Sequence, residues 1–330
     1  MRTYRAAIIG CGRIGADCDD KNHGSSRLAC HAESYASSPR THLVAACDPD
    51  PSRRRRVAER WGIPRLYANH QDLLTRENVE VVSICTSAAT HADILLDVLD
   101  AGVSGVLIEK PLARRLDEAD KLILRARDAR TVVAVNYIRR SCPSYRQAAK
   151  KLWDGRLGRI QVGQAIYTKG ILNNGTHLLD LLRFFFGDPS EIRPLSFGRG
   201  GEVDPTVSFR VNFPAGFCVW VQGLDHESFS VFELDLIGTH GRMIFRELGH
   251  TLDVYDVEDS MAAHGFRQLV RTPTSTATGL AGAIGYAIND LLDSVERGLP
   301  PVCTLDDGRA ALALADEVLK DVASRSVAQE

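Results

Sequence analysis

A short apolar run that leads into three regularly spaced glycines constrains the fold of this chain more than any other feature. Residues 6–9 are apolar throughout, which is typical of a parallel strand buried on both faces. Residues 10–15 then have the sequence GCGRIG, a G-x-G-x-x-G pattern. Its first glycine permits a tight turn, its second lets a pyrophosphate approach the backbone, and its third lets a helix pack on the strand. Because N–H groups at a helix start bind phosphate, we expect a dinucleotide to contact Gly10, Gly12, Arg13, Ile14 and Gly15.

An acidic residue follows the next apolar run. Residues 43–47 predict a second strand, and Asp48 comes directly after it, where an acid binds the ribose of a dinucleotide. Asp48 would repel a 2′-phosphate and accept a free 2′-hydroxyl, so the expected cofactor is NAD(H) rather than NADP(H). Four consecutive arginines, residues 53–56, keep NADP open, because they form either a solvated helix face or a clamp for a 2′-phosphate.

The segment between the glycines and this acid is unusually long. Asp48 follows Gly15 by 33 residues, whereas about 20 is usual. The excess falls in residues 16–29, which are polar and aperiodic, so we expect an inserted loop that acts as a mobile lid over the pyrophosphate. The alternative is a zinc site, for which the candidate ligands are Cys18, His23, Cys30 and His31. Their spacing fits no standard zinc site, so we predict no metal.

Composition narrows the class of protein. The chain has 330 residues, enough for two domains, and its net charge of −2 argues against a nucleic-acid partner. Its apolar stretches are shorter than the ~20 residues of a membrane span, and its start, broken by glycines, does not resemble a signal peptide. The eight cysteines are scattered and show no pairing in their spacing, which is typical of a reducing compartment. We therefore expect a cytoplasmic protein without membrane or nucleic-acid partners.

The order of predicted elements divides the chain in two. Up to residue 138, apolar strands alternate with helices, which predicts an α/β domain with a doubly wound parallel sheet of the Rossmann type over residues 1–138. Beyond it, longer strands with alternating polarity and hairpin turns predominate. Residues 139–330 therefore predict an α+β domain with a large, mostly antiparallel open sheet.

Two further segments carry candidate chemistry. Glu109-Lys110-Pro111 follows an apolar strand, at the carboxyl end of the predicted sheet, where ligands of such folds bind. The alternative is a charged pair at a strand end, followed by a helix-starting proline. Later, Asn173 and His177 open an otherwise apolar helix, and the alternative there is a core histidine.

These motifs, in this order, resemble the Gfo/Idh/MocA family of glucose–fructose oxidoreductase and inositol dehydrogenase. The resemblance rests on GCGRIG, on E-K-P, on residues 136–143 (NYIRRSCP) and on residues 175–180 (GTHLLD). Residues 233–244 and 300–315 are also similar to later segments of that family. The resemblance implies that Lys110 and His177 flank the nicotinamide and the reacting carbon, and that the Lys110–Pro111 peptide bond is cis.

The resemblance also implies a set of binding residues. It assigns cofactor contacts to Thr86, Ser87, His91, Glu109, Lys110 and Asn136, and substrate contacts to Lys110, Tyr137, Arg139, Asn173 and His177. One departure bears on catalysis: many members have aspartate where this chain has Asn173. Because asparagine does not titrate, proton transfer would be left to His177 or Lys110, and histidine has the ordinary pKa closer to neutrality.

The predicted function is an NAD(P)-dependent oxidoreductase. It would transfer a hydride between nicotinamide and a secondary hydroxyl or ketone of a sugar, cyclitol or nucleotide sugar, with Asn173, Lys110 and His177 as its catalytic group. Two alternatives stay open: an NAD-dependent glycosidase of the same fold, and a non-catalytic cofactor- or sugar-sensing protein. By the resemblance, the expected assembly is a homodimer or homotetramer.

Overall fold

The structure is a computed structural model that describes residues 2–18, 28–195, 204–262, 264–272 and 275–327. It divides into two compact units. The first comprises Met1–Cys142 and Ala281–Leu312, and the second comprises Pro143–Leu280 and Ala313–Glu330.

The first unit is built on a six-stranded sheet in which every pairing is parallel. The strand order is β3-β2-β1-β4-β5-β6, the order of a doubly wound dinucleotide-binding fold. The central strands are buried on both faces, as their continuous apolar sequences require. The strands are β1 (Tyr4–Ile9), β2 (Thr41–Cys47), β3 (Arg65–Tyr67), β4 (Val81–Ile84), β5 (Gly105–Ile108) and β6 (Val132–Val135).

Helices connect these strands and cover the sheet. They are α1 (His31–Ser37), α2 (Pro51–Trp61), α3 (His70–Arg76), α4 (Ala88–Asp100), α5 (Leu116–Asp128) and α6 (Ile138–Ser141). Sequence signals set several of their ends: the Asp50 side chain caps α2 by accepting from Ser52 N, and Gly62 ends the same helix in a left-handed conformation. The parallel α/β architecture predicted for this part of the chain is confirmed.

The limits of the first unit differ from the predicted 1–138 and 139–330. The unit runs to Cys142, and residues from the end of the chain return to it. The helix Ala283–Arg297, numbered α9 below, places Ile284, Ile288 and Leu291 in the same buried cluster as β1. Amphipathic periodicity reveals that a helix has an apolar face but does not reveal which sheet that face covers. The sequence pattern therefore located this helix at 283–297 but assigned it to the second domain.

The helix that should follow the glycine turn is interrupted and then resumes. Ala16 N donates to Gly12 O at 2.9 Å, as in a helical turn. The carbonyls of the next residues accept from a later segment instead, since His31 N donates to Ile14 O (3.0 Å) and Ala32 N donates to Gly15 O (2.9 Å). Helix α1 therefore continues the turn that the glycines begin, and the intervening residues form an excursion. Residues 19–27, which hold most of the predicted lid and His23, lie outside the described residues.

A disulfide closes the neck of this excursion. Cys18 and Cys30 are bonded, with their Cα atoms 5.5 Å apart, and both are buried. The expectation that the cysteines are unpaired was wrong, because spacing along the sequence does not show which cysteines come within bonding distance in the fold. Since disulfides are characteristic of oxidising environments, the cysteines no longer argue for a reducing compartment.

The second unit contains a nine-stranded sheet. Its strands are β7 (Ile160–Tyr167), β8 (Glu191–Pro194), β9 (Phe209–Asn212), β10 (Cys218–Gly223), β11 (Phe232–Gly238), β12 (Gly241–Arg246), β13 (Thr251–Asp259), β14 (Arg267–Arg271) and β15 (Thr276–Ala277). The order is β14-β13-β12-β11-β7-β10-β9-β8, with β15 on β13. Pairing is antiparallel except between β7 and β10, which confirms the mostly antiparallel sheet. Strands β8, β14 and β15 have only 4, 5 and 2 residues, too few for the sequence pattern to reveal them.

Helices cover one face of this sheet. They are α7 (Pro143–Trp153) and α8 (Thr176–Phe186), and a π-helical segment, Gly170–Gly175, precedes α8. Tyr145 of α7 stacks on Phe245 at 4.6 Å between ring centroids, and Phe185 of α8 stacks on the same ring at 5.7 Å.

The remaining helices are α9 and α10 (Leu305–Val327). Among the described residues, no helix is long and apolar enough to span a membrane. The homo-oligomer stays a prediction.

The disulfide should be measurable in solution. We expect six free thiols in the denatured, unreduced protein, with a Cys18–Cys30 cross-linked peptide by mass spectrometry. Reduction should lower the free energy of unfolding by about 3 kcal/mol, because it frees a short closed loop in the unfolded chain. Cys18→Ser should abolish this sensitivity to reductant, and Cys218→Ser, at an unpaired cysteine, should keep it. Eight free thiols in protein purified without reductant would contradict the pairing.

Candidate functional site

The three glycines of the turn are required for three different reasons. Gly10 has φ +99°, and a Cβ there would lie 2.7 Å from the Cys85 backbone. A Cβ on Gly15 would collide with the carbonyl oxygen of Gly10, so helix and strand could not pack as closely. At Gly12 the nearest atom to an added Cβ is Arg53 Nη1 at 4.0 Å, which leaves open space above the backbone. This is the pattern that a bound pyrophosphate requires.

A cavity of about 740 Å³ opens beside this turn, at the carboxyl ends of β1, β2 and β4. Its volume and its place at the sheet edge fit a nucleotide. Of the predicted cofactor residues, its lining includes Gly10, Gly12, Asp48, Thr86 and Ser87. It also includes residues that the sequence did not single out, among them Asn69, His70, Gln71 and Thr90. Arg13, Ile14, Gly15 and His91 lie outside its described lining.

Asp48 is held in place by backbone donors. Its Oδ2 accepts from Cys11 N at 2.8 Å and its Oδ1 accepts from Asp50 N at 2.9 Å, and the residue is 4% exposed. Arg53 Nη1 lies 3.8 Å from Oδ2, and Arg53 also lines the cavity. The next arginine of the run, Arg54, instead donates to the backbone oxygen of Asp48. The carboxylate therefore faces the cavity with one arginine beside it.

A buried polar network surrounds Glu109 at the end of β5. His31 Nε2 lies 3.0 Å from Glu109 Oε1, and Asn136 Nδ2 donates to the same oxygen at 2.6 Å. On its other side, His31 Nδ1 lies 2.8 Å from Ser83 Oγ, which in turn lies 2.8 Å from the Tyr35 hydroxyl. His31, Ser83 and Tyr35 are all completely buried. Sequence patterns singled out His31 as a possible zinc ligand, and the structure points it at Glu109 instead.

Glu109 is a stabilised anion. Burial alone raises the pKa of a carboxylic acid, but the hydrogen bonds from His31 and Asn136 and the positive charge of Lys110 lower it, and the pKa of Glu109 ends below its ordinary value. The carboxylate is therefore charged at neutral pH although the residue is only 8% exposed. A fixed negative charge thus lies one residue before Lys110.

The Lys110–Pro111 peptide bond is cis, as the resemblance implied. Beneath it, the completely buried His91 lies between two backbone carbonyls, with its Nδ1 2.9 Å from Pro111 O and its Nε2 3.1 Å from Thr86 O. A role of His91 toward a cofactor would therefore act through the backbone at Thr86 and Pro111.

The segment that follows β6 holds three further predicted site residues, Asn136, Tyr137 and Arg139. All three are buried, with exposed fractions of 1%, 1% and 6%. The Oδ1 atom of Asn136 has no hydrogen-bond partner among the described residues. A buried acceptor in this position fits a donor group of a cofactor, because leaving it unpaired is costly.

Asn173 and His177 belong to the second unit. Asn173 is exposed on the π-helical segment, and His177 is partly exposed in the first turn of α8. Partial exposure argues against the core-histidine alternative. Asp204 fixes this segment, since its Oδ1 accepts from Leu172 N (2.7 Å) and its Oδ2 accepts from Asn173 N (3.1 Å). Single π-helical turns occur frequently at functional sites, but the sequence pattern predicted none here.

One cluster has the composition of a metal site. Cys18, Cys30 and Glu33 place ligand atoms within 4.8 Å of one another. The two sulfurs are joined in the disulfide, and a disulfide sulfur is not the thiolate that zinc binds.

Comparison with known proteins agrees with the site in the first unit. Residues 4–137 match the model of the Gfo/Idh/MocA oxidoreductase family, NAD-binding Rossmann fold. This match covers the parallel α/β part of the chain, and it confirms the resemblance to the family and the expected class of cofactor.

Relatives and solved structures extend the similarity beyond this domain. Myo-inositol 2-dehydrogenase of Thermotoga maritima is 23% identical over 94% of this chain and 93% of its own length. D-apiose dehydrogenase of Paraburkholderia graminis is 24% identical, but the match spans 58% of this chain and about half (52%) of that protein. A levoglucosan dehydrogenase structure, in complex with NADH and L-sorbose, shares the fold at a TM-score of 0.81, with 19% identity and 98% coverage of both chains.

The buried His91 should make stability depend on pH. Burial lowers the pKa of His91 below 6.5, outweighing the two carbonyl acceptors. Below about pH 6.5 the unfolded state then binds more protons than the folded state, so stability is lost as the pH falls through this window. We expect the melting temperature to drop between pH 7 and pH 5, and His91→Gln to reduce that drop. His42→Gln, at an exposed histidine, is the control. An equal drop in the His91→Gln variant would assign the effect to other groups.

Proposed function

We propose that the protein is an NAD-dependent dehydrogenase that oxidises a secondary hydroxyl of a sugar or cyclitol. The observation that carries this proposal is the placement of Lys110, which follows β5 at the ligand-binding edge of the sheet, next to the anionic Glu109 and before a cis-proline. A cation at that edge is suited to bind a hydroxyl oxygen on which negative charge develops. The relatives named for inositol and apiose act on polyhydroxylated substrates of this kind.

The residues for the cofactor follow from the cavity and its surroundings. Gly12 would accommodate the pyrophosphate, Asp48 would accept a ribose hydroxyl, and Asn136 Oδ1 would accept a donor near the reactive end. The bound nicotinamide supplies the acceptor for a hydride. All other steps fall to side chains of this chain.

The remaining steps of the reaction are assigned to three side chains, those of Lys110, Asn173 and His177. Lys110 donates a hydrogen bond to the reacting oxygen and stabilises its negative charge. His177 accepts the hydroxyl proton, since asparagine does not titrate and histidine has the ordinary pKa nearer to neutrality. Asn173 orients a substrate hydroxyl through its amide. Tyr137 and Arg139 are further candidates for substrate contacts.

The first test is a substrate screen. Myo-inositol, scyllo-inositol, levoglucosan, D-apiose and a set of nucleotide sugars would be offered with NAD⁺ and with NADP⁺, and absorbance of the reduced nicotinamide would be followed. We expect net reduction with at least one sugar or cyclitol. Cleavage of a glycoside without net NADH would indicate the glycosidase alternative. Tight sugar binding without any turnover would indicate a sensor.

Variants at the proposed catalytic residues should separate chemistry from cofactor binding. We expect His177→Ala to lower kcat by about 10²–10⁴-fold with NADH affinity nearly unchanged, and Lys110→Ala to be at least as severe because it also removes the stabilising charge. His42→Ala and Lys121→Ala, both at exposed positions, should retain activity. Wild-type turnover by His177→Ala would make the histidine structural and overturn this mechanism.

Cofactor choice should depend on Asp48 and Arg53. We expect NADH to bind about tenfold or more tightly than NADPH, a difference of ~1.4 kcal/mol or more, because the Asp48 carboxylate lies at the cavity and repels a 2′-phosphate. Asp48→Asn should narrow the difference, and Arg53→Ala should weaken NADPH more than NADH. Arg55→Ala, at an exposed arginine of the same helix, is the matched control. Tighter binding of NADPH in a fluorescence titration would contradict this preference.

A further inference from the structure

The environment of His31 is unusual for a histidine that nothing in the proposed mechanism uses. It is the first residue of α1, directly after the disulfide-bonded Cys30, and it is completely buried. Both ring nitrogens face polar side chains rather than backbone, namely Ser83 Oγ at 2.8 Å and Glu109 Oε1 at 3.0 Å. A buried imidazole with two side-chain partners has a defined tautomer, and the partners decide which one.

The direction of the hydrogen bonds can be followed from one end. Burial raises the pKa of Tyr35 far above its ordinary value, so its hydroxyl stays protonated and can donate to Ser83 Oγ. In the order that begins there, Ser83 directs its own proton to His31 Nδ1. The imidazole proton therefore lies on Nε2 and is donated to Glu109 Oε1. This order satisfies every hydroxyl and ring nitrogen along the chain.

The other end of the network reaches Lys110. Glu109 Oε1 receives two donors, His31 Nε2–H and Asn136 Nδ2–H, whose nitrogens lie 3.5 Å apart. Its second oxygen, Oε2, accepts from the backbone N–H of Lys110 at 3.3 Å. The orientation of the carboxyl group, with one oxygen toward His31 and one toward Lys110, thus depends on the donors that hold Oε1.

We propose that His31 is a positioning residue of the dehydrogenase: with a proton on Nε2 it holds the Glu109 carboxylate in a single orientation, which fixes the backbone and charge environment of Lys110. This inference rests on the proposed function for its catalytic consequence, but its structural content does not. His31 itself cannot contact substrate or solvent, because it has no exposed surface and both nitrogens are engaged. Its effect on catalysis must pass through Glu109.

The tautomer can be tested without any substrate. In the full-length protein with ¹⁵N-labelled histidine, the imidazole signals of His31 are identified by their loss in His31→Gln, with and without NADH. We expect Nε2 to carry a proton near pH 7. Glu109→Gln should move the Nε2 and proton signals, whereas Glu33→Gln, two residues later in the same helix, should leave them in place. A ring protonated on Nδ1 alone, or signals unaffected by Glu109→Gln, would each overturn the proposal.

Testing the consequence for catalysis requires variants of His31 that differ in whether they can donate a hydrogen bond to Glu109. His31→Leu removes the donor to Glu109, and we expect kcat to fall by about 10²-fold, the cost typical of misplaced reacting groups, with little change in KM. His31→Gln can still donate from its own amide and should recover most of that loss. Leu122→Ala, a buried truncation in the same unit, controls for lost stability and should keep kcat.

A double-mutant cycle shows whether the effect passes through Glu109. If it does, His31→Leu combined with Glu109→Gln should lower kcat no further than Glu109→Gln alone. Additive losses, or failure of His31→Gln to recover turnover while the protein melts normally, would make His31 a merely structural residue. If no sugar or cyclitol is oxidised by the wild type, the proposed function fails, and the ¹⁵N experiment still decides whether His31 holds Glu109.

Discussion

A buried carboxylate organises the functional half of the first unit. Moving an anion such as Glu109 out of water costs several kcal/mol unless donors replace the lost hydration. The structure supplies those donors from three separate parts of the chain: His31 from α1, Asn136 from the end of β6, and the backbone of Lys110. All three donors meet at one carboxylate, so α1, β5 and β6 each contribute to holding this charged group. Lys110, the lysine proposed to act on substrate, is held through its backbone N–H by the same carboxylate.

Much of this architecture could be predicted from local sequence. The glycine turn, the acid after β2 and the E-K-P segment each carry their chemistry within a few residues, and the cavity brings Gly12, Asp48 and Thr86 together as expected. The His31–Glu109 contact could not be predicted in this way, because it joins residues 78 positions apart through a helix that resumes after an excursion. The return of α9 to the first sheet was missed for the same reason: periodicity describes a helix face but not its partner.

The excursion after the glycine turn also explains how a long insertion can leave the turn intact. Because His31 N and Ala32 N donate to the carbonyls of Ile14 and Gly15, the helical hydrogen bonds continue across the neck as if the inserted residues were absent. The Cys18–Cys30 disulfide holds the two sides of the neck together. The free N–H groups that would bind phosphate and the imidazole that holds Glu109 therefore belong to one continuous helical turn. The long separation between Gly15 and Asp48 therefore leaves the glycine turn undisturbed.

The asparagine at position 173 has a physical rationale in the second unit. The resemblance to the family implied an aspartate there in many members, and its absence cast doubt on proton transfer. In this chain a carboxylate is already present beside that position, since Asp204 Oδ2 accepts from the backbone N–H of Asn173 at 3.1 Å. A carboxylate on residue 173 would add a like charge to the segment that Asp204 holds, and like charges disfavour each other's ionised form. A neutral amide avoids this repulsion and still offers a donor and an acceptor to a hydroxyl. The neutral residue at position 173 is thus compatible with the carboxylate that stabilises the π-helical segment, and it agrees with the proposal that the histidine one turn later accepts the proton.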